Sequence, residues 1–434
     1  MSFIYDLFFI IFLIISLPAV ILQLIFTGKY RQSLKPRLGL MSSELWQRIK
    51  GTANKKVIWL HAVSVGEMLA ASSLLPDIRQ QFSDYRLIIS TTTETGQAIA
   101  KQKIKEGAEV IYFPLDLSFI ARYFIRHINP SLFIIMETEI WPNMIQQMAL
   151  NHTRIVMING RLSPRSYKGY KAVRYLIAPL LKHIDLLCMQ TKSDAEKIIS
   201  LGAPAEKVKV TGNIKIDQAL VKEPAPQDLA VLRDKLFIKE EDKVLAAGST
   251  HPGEEKIILE VYKKLRLDFP DLKLIIAPRH IERTVKIEKI VSDFNYQAFR
   301  YTDLLNISIK KAPQVIILDK IGVLREIYSL ATIVFMGGSL IKHGGQNMLE
   351  PAALAKPVIY GPHIYNFQDI TEMFLKARAQ IMVYDKKELE HTCSWLLSSP
   401  EQARVLGSKA REVVEQNTGA VKNNIEVLKS LLII

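Results

Sequence analysis

Short, continuously apolar runs alternate along this chain with segments whose apolar positions recur every three or four residues. Runs at 57–61, 86–91, 110–113, 132–137, 155–159 and 186–190 form a first set, and runs at 244–247, 272–277, 315–318, 333–337, 358–360 and 380–383 a second. Most lack polar alternation, as parallel strands covered on both faces do. Each run is followed by a turn signal and then a helical pattern, so the pattern predicts two α/β units in series, each with a doubly wound, Rossmann-like sheet. A proline-rich stretch at 221–227 (VKEPAPQ) reads as the linker between them. From Lys386 onward the pattern is helical and amphipathic. The domain boundaries that follow are an N-terminal segment at 1–28, a first domain at 29–220, a linker at 221–232, and a second domain at 233–434 that includes the C-terminal helices.

Residues 8–26 (FFIIFLIISLPAVILQLIF) form a charge-free run of nineteen, just long enough to cross a hydrocarbon layer of about 30 Å. Asp6 precedes it, whereas Lys29, Arg31, Lys35 and Arg37 follow, which puts the rest of the chain on the cytoplasmic side. The flanks do not fit a cleaved signal peptide: the start carries no positive charge and no small-x-small site follows. Pro18 would kink such a helix and leaves spanning and interfacial arrangements both open. The remaining composition, 49% hydrophobic and 23% charged over 434 residues, is that of a globular chain with room for two cores. Between Lys29 and Asp217 there are 27 Lys and Arg against 15 Asp and Glu, a net of +12 out of +14 for the chain. A basic face beside a membrane segment attracts anionic lipid, and no recognisable nucleic-acid module is present, so the expected partner is an anionic inner-membrane surface and not nucleic acid. The two cysteines, Cys188 and Cys393, lack metal-ligand spacing.

The candidate chemistry lies where apolar runs end. HAVSVGE (61–67) closes a strand and opens a helix through Ser64 and Gly66, placing Glu67 in the first helical turn. There it either complements the helix dipole or deprotonates an attacking hydroxyl. METEIWPN (136–143) ends another strand with Glu137 and Glu139 together, suited to sugar hydroxyls or a cation. Beyond it Arg161, Arg165, Lys168, Lys171 and Arg174 form a stripe at helical spacing, either a solvated face or a phosphate contact. In AAGSTHPGEE (246–255), Ser249, Thr250 and His251 can donate to a phosphate, and Arg279 in APRHIER (277–283) is placed to meet the same group. Finally, residues 337–367 hold two glycine pairs, among them Gly338, at the end of an apolar run. A helix expected to start near Gln346 would set Asn347 and Glu350 on one face with Pro351 about one turn in. Glycines admit a phosphate to the backbone, a helix start attracts it, and Glu350 can accept from two ribose hydroxyls, which together read as a nucleotide-sugar site. Two doubly wound domains with such a site in the second describe the GT-B architecture, whose active site is expected in the interdomain cleft.

HAVSVGE, METEIWPN, NGRLS, TGNIKID, AGSTHPGEE, APRHIER and the glycine-rich 337–367 stretch resemble, in order and spacing, the 3-deoxy-D-manno-octulosonic acid (Kdo) transferases of lipid A assembly. The resemblance covers nearly the whole chain, with Ile216 standing where an aromatic is common. It implies an inverting, metal-independent enzyme without cofactor that moves Kdo from CMP-Kdo to a lipid A precursor at the cytoplasmic side of the inner membrane. It further implies Glu67 as general base, Arg279 and His251 on the CMP part, Ser339 and Asn347 near its phosphate, Glu350 on the ribose, and Glu137 on the sugar and acceptor side. The rival readings are another GT-B enzyme using a UDP-sugar and a lipid-linked acceptor, and a non-enzymatic membrane-surface protein with a dead nucleotide fold.

Overall fold

Fourteen strands, all parallel among the described residues, build two seven-stranded sheets in a computed structural model that describes residues 2–26, 30–51, 55–104, 107–220, 223–306 and 312–432. Residues 27–29, at the end of the N-terminal segment, and 221–222, at the start of the expected linker, lie outside the described residues. The chain divides into one unit of Met1–Gln218 with Thr418–Ile434 and a second of Ala219–Asn417.

The first sheet comprises β1 (Val57–His61), β2 (Arg86–Thr91), β3 (Ala108–Tyr112), β4 (Leu132–Met136), β5 (Arg154–Gly160), β6 (Leu186–Met189) and β7 (Val208–Val210). Their spatial order is β3-β2-β1-β4-β5-β6-β7. The chain runs outward from β1 to β3 and then returns to β4 on the other side of β1. The β1/β4 boundary is therefore the switch point, where an open α/β sheet leaves a crevice for ligand. Helices cover both faces, which is why the strands read as unbroken apolar runs. Trp59 and Phe133 pack under Ser118–Ile128 and Pro142–Leu150, whereas Ile58, Leu60 and Ile134 pack under Val65–Gln81.

The second sheet repeats the plan with β8 (Val244–Thr250), β9 (Lys273–Pro278), β10 (Ala298–Arg300), β11 (Val315–Ile317), β12 (Ile333–Met336), β13 (Val358–Tyr360) and β14 (Ile381–Met382). Its order, β10-β11-β9-β8-β12-β13-β14, puts the switch point between β8 and β12. The two strands absent from the apolar pattern, β7 (VKV) and β10 (AFR), are three-residue edge strands. Each carries a cation, as edges exposed to pairing commonly do.

Two boundaries differ from expectation. Most of the 221–232 stretch is the start of a helix, Pro226–Lys235, with Pro226 in its first turn where no N–H is needed. More consequentially, the last helix, Ala420–Leu432, packs in the first unit, where Ile425, Val427 and Leu428 are buried beside Leu60, Ile134 and Ile158. Asp217 fixes its start by accepting from the N–H groups of Gly419 (2.9 Å) and Val421 (2.7 Å). Sequence order alone had placed this helix in the second domain. Leu428→Ala is expected to cost about 2–5 kcal/mol. That loss should appear in the urea transition of the first unit, reported by Trp46, Trp59 and Trp141, while the transition reported by Trp395 stays in place.

Candidate functional site

In the first unit, the residues after β1 and β4 meet at the switch point. Ser64 N-caps Val65–Gln81, and its Oγ accepts from Glu67 N at 3.4 Å while donating to Glu67 Oε1 at 2.8 Å. Glu67 Oε2 accepts from Val63 N at 2.7 Å, which completes a capping box. The helix-start role considered for Glu67 is thus real, but it uses only part of the carboxylate's accepting capacity. Burial pushes the carboxyl above the usual glutamate range against these hydrogen bonds, and Glu137 adds to the rise while Lys215 opposes it. Gly66 is exposed, and a Cβ there would meet nothing nearer than Ser64 Oγ at 4.0 Å. Close packing within this unit does not demand a glycine at 66.

Glu137 holds a left-handed backbone (φ 56°), a conformation a glutamate adopts only when its surroundings impose it. Its carboxylate pairs with Lys215 Nζ at 2.8 Å. Glu139 lies in the same electrostatic neighbourhood, and burial, then Glu67, then Glu137 push its carboxyl up to about 8. Thr138 ties this loop to Arg161, donating to its carbonyl at 2.7 Å and accepting from its N–H at 3.0 Å. Three carboxyl groups, one lysine and the Arg161 backbone are thereby gathered at one sheet edge. Nearby, Trp141 Nε1 and Asn159 Nδ2 are buried without a hydrogen-bond partner, and buried donors normally have one. Lys215 and Asn159 were not singled out as site residues in the sequence, although Asn159 lies near the end of β5 and Lys215 in the short helix Ile214–Ala219 that follows β7. His61, by contrast, is a core group: it stacks on Phe113 at 3.6 Å, contacts Ser90 through Nδ1, and is held neutral by burial, its pKa lowered to about 3.

In the second unit, Ser249 bulges between β8 and β9 with φ 53°, and it lines a cavity of about 160 Å³ together with Arg279, Pro278, Leu318 and Lys320. Arg279 is exposed and forms no ion pair among the described residues, while Thr250 is internal, donating to Glu255 at 2.9 Å. His251 stacks on His343 at 3.6 Å, and its Nε2 meets the Gln346 amide nitrogen at 3.1 Å. With Gln346 donating, the imidazole proton sits on Nδ1. Burial first, then His343, His280, Arg283 and Arg279, lower its pKa to about 4, so it offers a neutral N–H.

The glycine-rich loop after β12 corrects the expectation placed on it. The N–H groups of Gly338 (2.7 Å), Ser339 (3.1 Å) and Leu340 (3.1 Å) all donate to the buried carboxylate of Glu254, which also accepts from His251 N at 3.0 Å. The anion cradle is real, but its occupant is a side chain of the same unit. Ser339 is fully buried, and its Oγ donates to Met336 O and accepts from Gly361 N at 2.7 Å, so neither it nor the Gly338 N–H is open to a phosphate. The expected helix from Gln346 is also shorter, spanning Leu349–Ala353. Asn347 therefore precedes it, accepting from Leu349 N at 3.1 Å and donating to Glu350 Oε1 at 3.4 Å. Asn347 and Glu350 are together, as expected, through a turn and not a helix face. Burial raises the Glu350 carboxyl against the attraction of Arg325 and the Asn347 bond. Among the described residues no group of three or more His, Cys, Asp or Glu is arranged to hold a metal ion.

The chain is similar to known proteins over most of its length. The sequence model for 3-deoxy-D-manno-octulosonic-acid transferase (kdotransferase) matches residues 32–218. A 3-deoxy-D-manno-octulosonic acid transferase of Haemophilus influenzae is 34% identical over 93% of this chain and 92% of its own length. A bifunctional glycosyltransferase/methyltransferase of Fusobacterium nucleatum is 36% identical over 83% of this chain, but the chain spans only 56% of that protein. The crystal structure of a glycosyltransferase from Rickettsia africae superposes with a TM-score of 0.59 at 13% identity, over 87% of this chain and 99% of that one, which supports the GT-B fold. Motifs, fold and full-length likeness converge: the chain is a glycosyltransferase and belongs to the 3-deoxy-D-manno-octulosonic acid transferase family.

Proposed function

We propose that the protein transfers Kdo from CMP-Kdo to the lipid A precursor lipid IVA in lipopolysaccharide core biosynthesis, with inversion and without a metal ion, at the cytoplasmic side of the inner membrane. The observation that carries this reading is the Glu67 carboxylate, buried at the β1/β4 switch point beside Glu137, Glu139 and Lys215, with accepting capacity left over. Glycosyl transfer needs one proton removed from the acceptor hydroxyl as its oxygen bonds to the anomeric carbon and the bond to the CMP phosphate breaks. A carboxylate raised above the ordinary glutamate range is better matched to that proton than a solvated one. Lys215 supplies positive charge for an anionic acceptor.

In the second unit the cavity bounded by Ser249 and Arg279 takes the nucleoside part, the neutral His251 and Arg279 meet the phosphate, and Glu350, oriented by Asn347, takes the ribose hydroxyls. Fixed donors of this kind stabilise the charge that develops on the departing phosphate. Gly338 and Ser339 act indirectly, as the loop that Glu254 holds in place. The UDP-sugar alternative is separated by donor competition. Full-length protein incubated with CMP-Kdo and the tetraacylated disaccharide should yield product heavier by whole Kdo residues, inhibited by CMP and not by UDP. Product formed only with a UDP-sugar would overturn the donor assignment.

Three variants follow from this geometry. Glu67→Gln should lower kcat by about 10²–10⁴-fold with CMP affinity intact by calorimetry; near-normal turnover would remove Glu67 as the base. Glu254→Gln replaces an acceptor of four N–H bonds by a half-donor and should weaken CMP binding by about 10–100-fold. Unchanged affinity would show that the loop does not depend on it. Glu139 bears on stability: its folded carboxyl keeps a proton up to about pH 8 that the unfolded chain releases near its ordinary value of 4.5. Stability from this site therefore falls as pH rises between those values and stays low above them. Glu139→Gln cannot ionise, so its melting temperature should rise relative to the parent between pH 5 and pH 9, and a constant offset across that range would contradict the shifted carboxyl.

A further inference from the structure

The N-terminal helix, Ser2–Phe26, is apolar enough to cross a membrane, with a mean hydropathy of 2.8 over its best window. Its first turns are nonetheless fastened to the first unit. Asp6 accepts from Ser118 N (3.0 Å), Ser118 Oγ (2.5 Å) and Asn143 Nδ2 (2.6 Å). Ser118–Ile128 has Leu117 at its N-cap and no side-chain cap of its own, so Asp6 supplies one from another element. Tyr5 bonds Asp116, a buried carboxylate that also accepts from Asn143 N (3.2 Å) and Met144 N (2.8 Å). Phe9 and Leu13 then pack against the core of the same unit.

The other end returns to the same place. Arg31 Nε donates to Leu24 O at 3.0 Å, closing the helix end, and six residues later Arg37 donates to Phe113 O (3.1 Å) and accepts from Leu115 N (3.0 Å). Asp6 and Arg37 thus flank one short segment, residues 113–118. A helix of 25 residues is about 37 Å long, and a helix crossing the bilayer leaves its ends on opposite sides of about 30 Å of hydrocarbon. One folded segment cannot hold both.

We infer that this helix does not cross the bilayer but lies in the plane of the membrane surface, with both ends on the side of the first unit. Its outward residues, among them Leu7, Phe8, Phe12, Ile15, Leu22 and Phe26, are exposed for insertion among acyl chains. A second element belongs to the same face. Val173, Tyr175 and Leu176 line an apolar cavity of about 450 Å³ with Ile4, Tyr5 and Phe8, and Tyr175 is 75% exposed. Just before them stand the exposed cations Arg165, Lys168, Lys171 and Arg174. Apolar and aromatic groups flanked by cations fit an anionic lipid interface. The stripe that sequence left open between solvent and phosphate is thereby assigned to lipid headgroups. This arrangement is independent of the donor.

The test uses full-length protein in its native membrane, whose own cysteines, Cys188 and Cys393, are both buried. Phe3→Cys and Gln32→Cys are labelled with a membrane-impermeant maleimide, in intact spheroplasts and in inside-out vesicles. An in-plane helix gives labelling of both sites in inside-out vesicles only. Labelling of Phe3→Cys from the outside, with Gln32→Cys still reached only from within, would establish a crossing and overturn the inference. As a second measurement, Asp6→Cys with Ser118→Cys should close an intramolecular disulfide on mild oxidation, seen as a mobility shift. Two thiols that stay free in a membrane-bound, active enzyme would also overturn it.

Discussion

A charged carboxylate without water is stable in a protein only when its lone pairs are met, and Glu254 meets that condition with four backbone N–H groups from two strand-end loops. The bonds couple the loop after β8 to the loop after β12, the two elements that flank the switch point of the second sheet. His251 and Ser249 hang from the first loop, Gln346 and Asn347 from the second. A shift of either loop would strand a buried carboxylate, so the relative placement of these side chains is fixed from within the unit. The donor site proposed for them would be preformed and its loop already ordered.

The same local device appears in the first unit with a different outcome. Glu67 follows β1 as Glu254 follows β8, each near the start of a helix and each accepting from the chain that precedes it. Glu254 reaches across to the neighbouring strand's loop and is fully used. Glu67 reaches only its own capping box, and the neighbouring loop after β4 presents Glu137 and Glu139 in place of N–H donors. Burial raises the proton affinity of both carboxyls; four amides oppose the rise at Glu254, whereas Glu137 adds to it at Glu67. One fold plan thus gives a carboxylate filled by N–H donors in one sheet and a carboxylate with accepting capacity left over in the other. The left-handed backbones of Glu137 and Ser249 mark the same two strand ends, where local strain is held by the surrounding sheet.

Much of this was legible in the sequence because parallel strands buried on both faces leave an apolar signature that needs no partner to be recognised. β1 and β2 were bounded to the residue, while β7 and β10, with a lysine and an arginine in three residues each, carry no such signature. The candidate site was legible to the extent that polar groups follow strand ends: Glu137 and His251 lie just after β4 and β8, and Glu67 and Glu350 in the first turns of the helices that follow β1 and β12. What sequence could not show is which of several polar groups partner one another. Gly338 and Ser339 read as a phosphate-binding loop, yet only the fold shows that Glu254, more than eighty residues earlier, accepts from their N–H groups. The placement of Ala420–Leu432 failed for the same reason, because its apolar stripe matches either sheet and only Asp217 and the β5 face select the first.

The N-terminal helix shows the limit of hydropathy in its sharpest form. Window averages count transfer free energies of side chains, and a helix lying in the interface with one face docked on protein can score as highly as one that crosses. The distinction rests on a single acid. Asp6 at the far side of a membrane would be an ordinary solvated carboxylate, whereas here it caps Ser118–Ile128 and bonds Asn143, with Asp116 and Tyr5 completing the contact. Leaving that position would expose an uncapped helix start and the buried Asn143 side chain together, costs that add to the lost packing of Phe9 and Leu13. In the in-plane arrangement proposed above, the first unit rests on the bilayer with Val173 to Leu176 and the neighbouring cations at headgroup depth, and the lipid acceptor of the proposed reaction would not have to be lifted to a domain tethered above it.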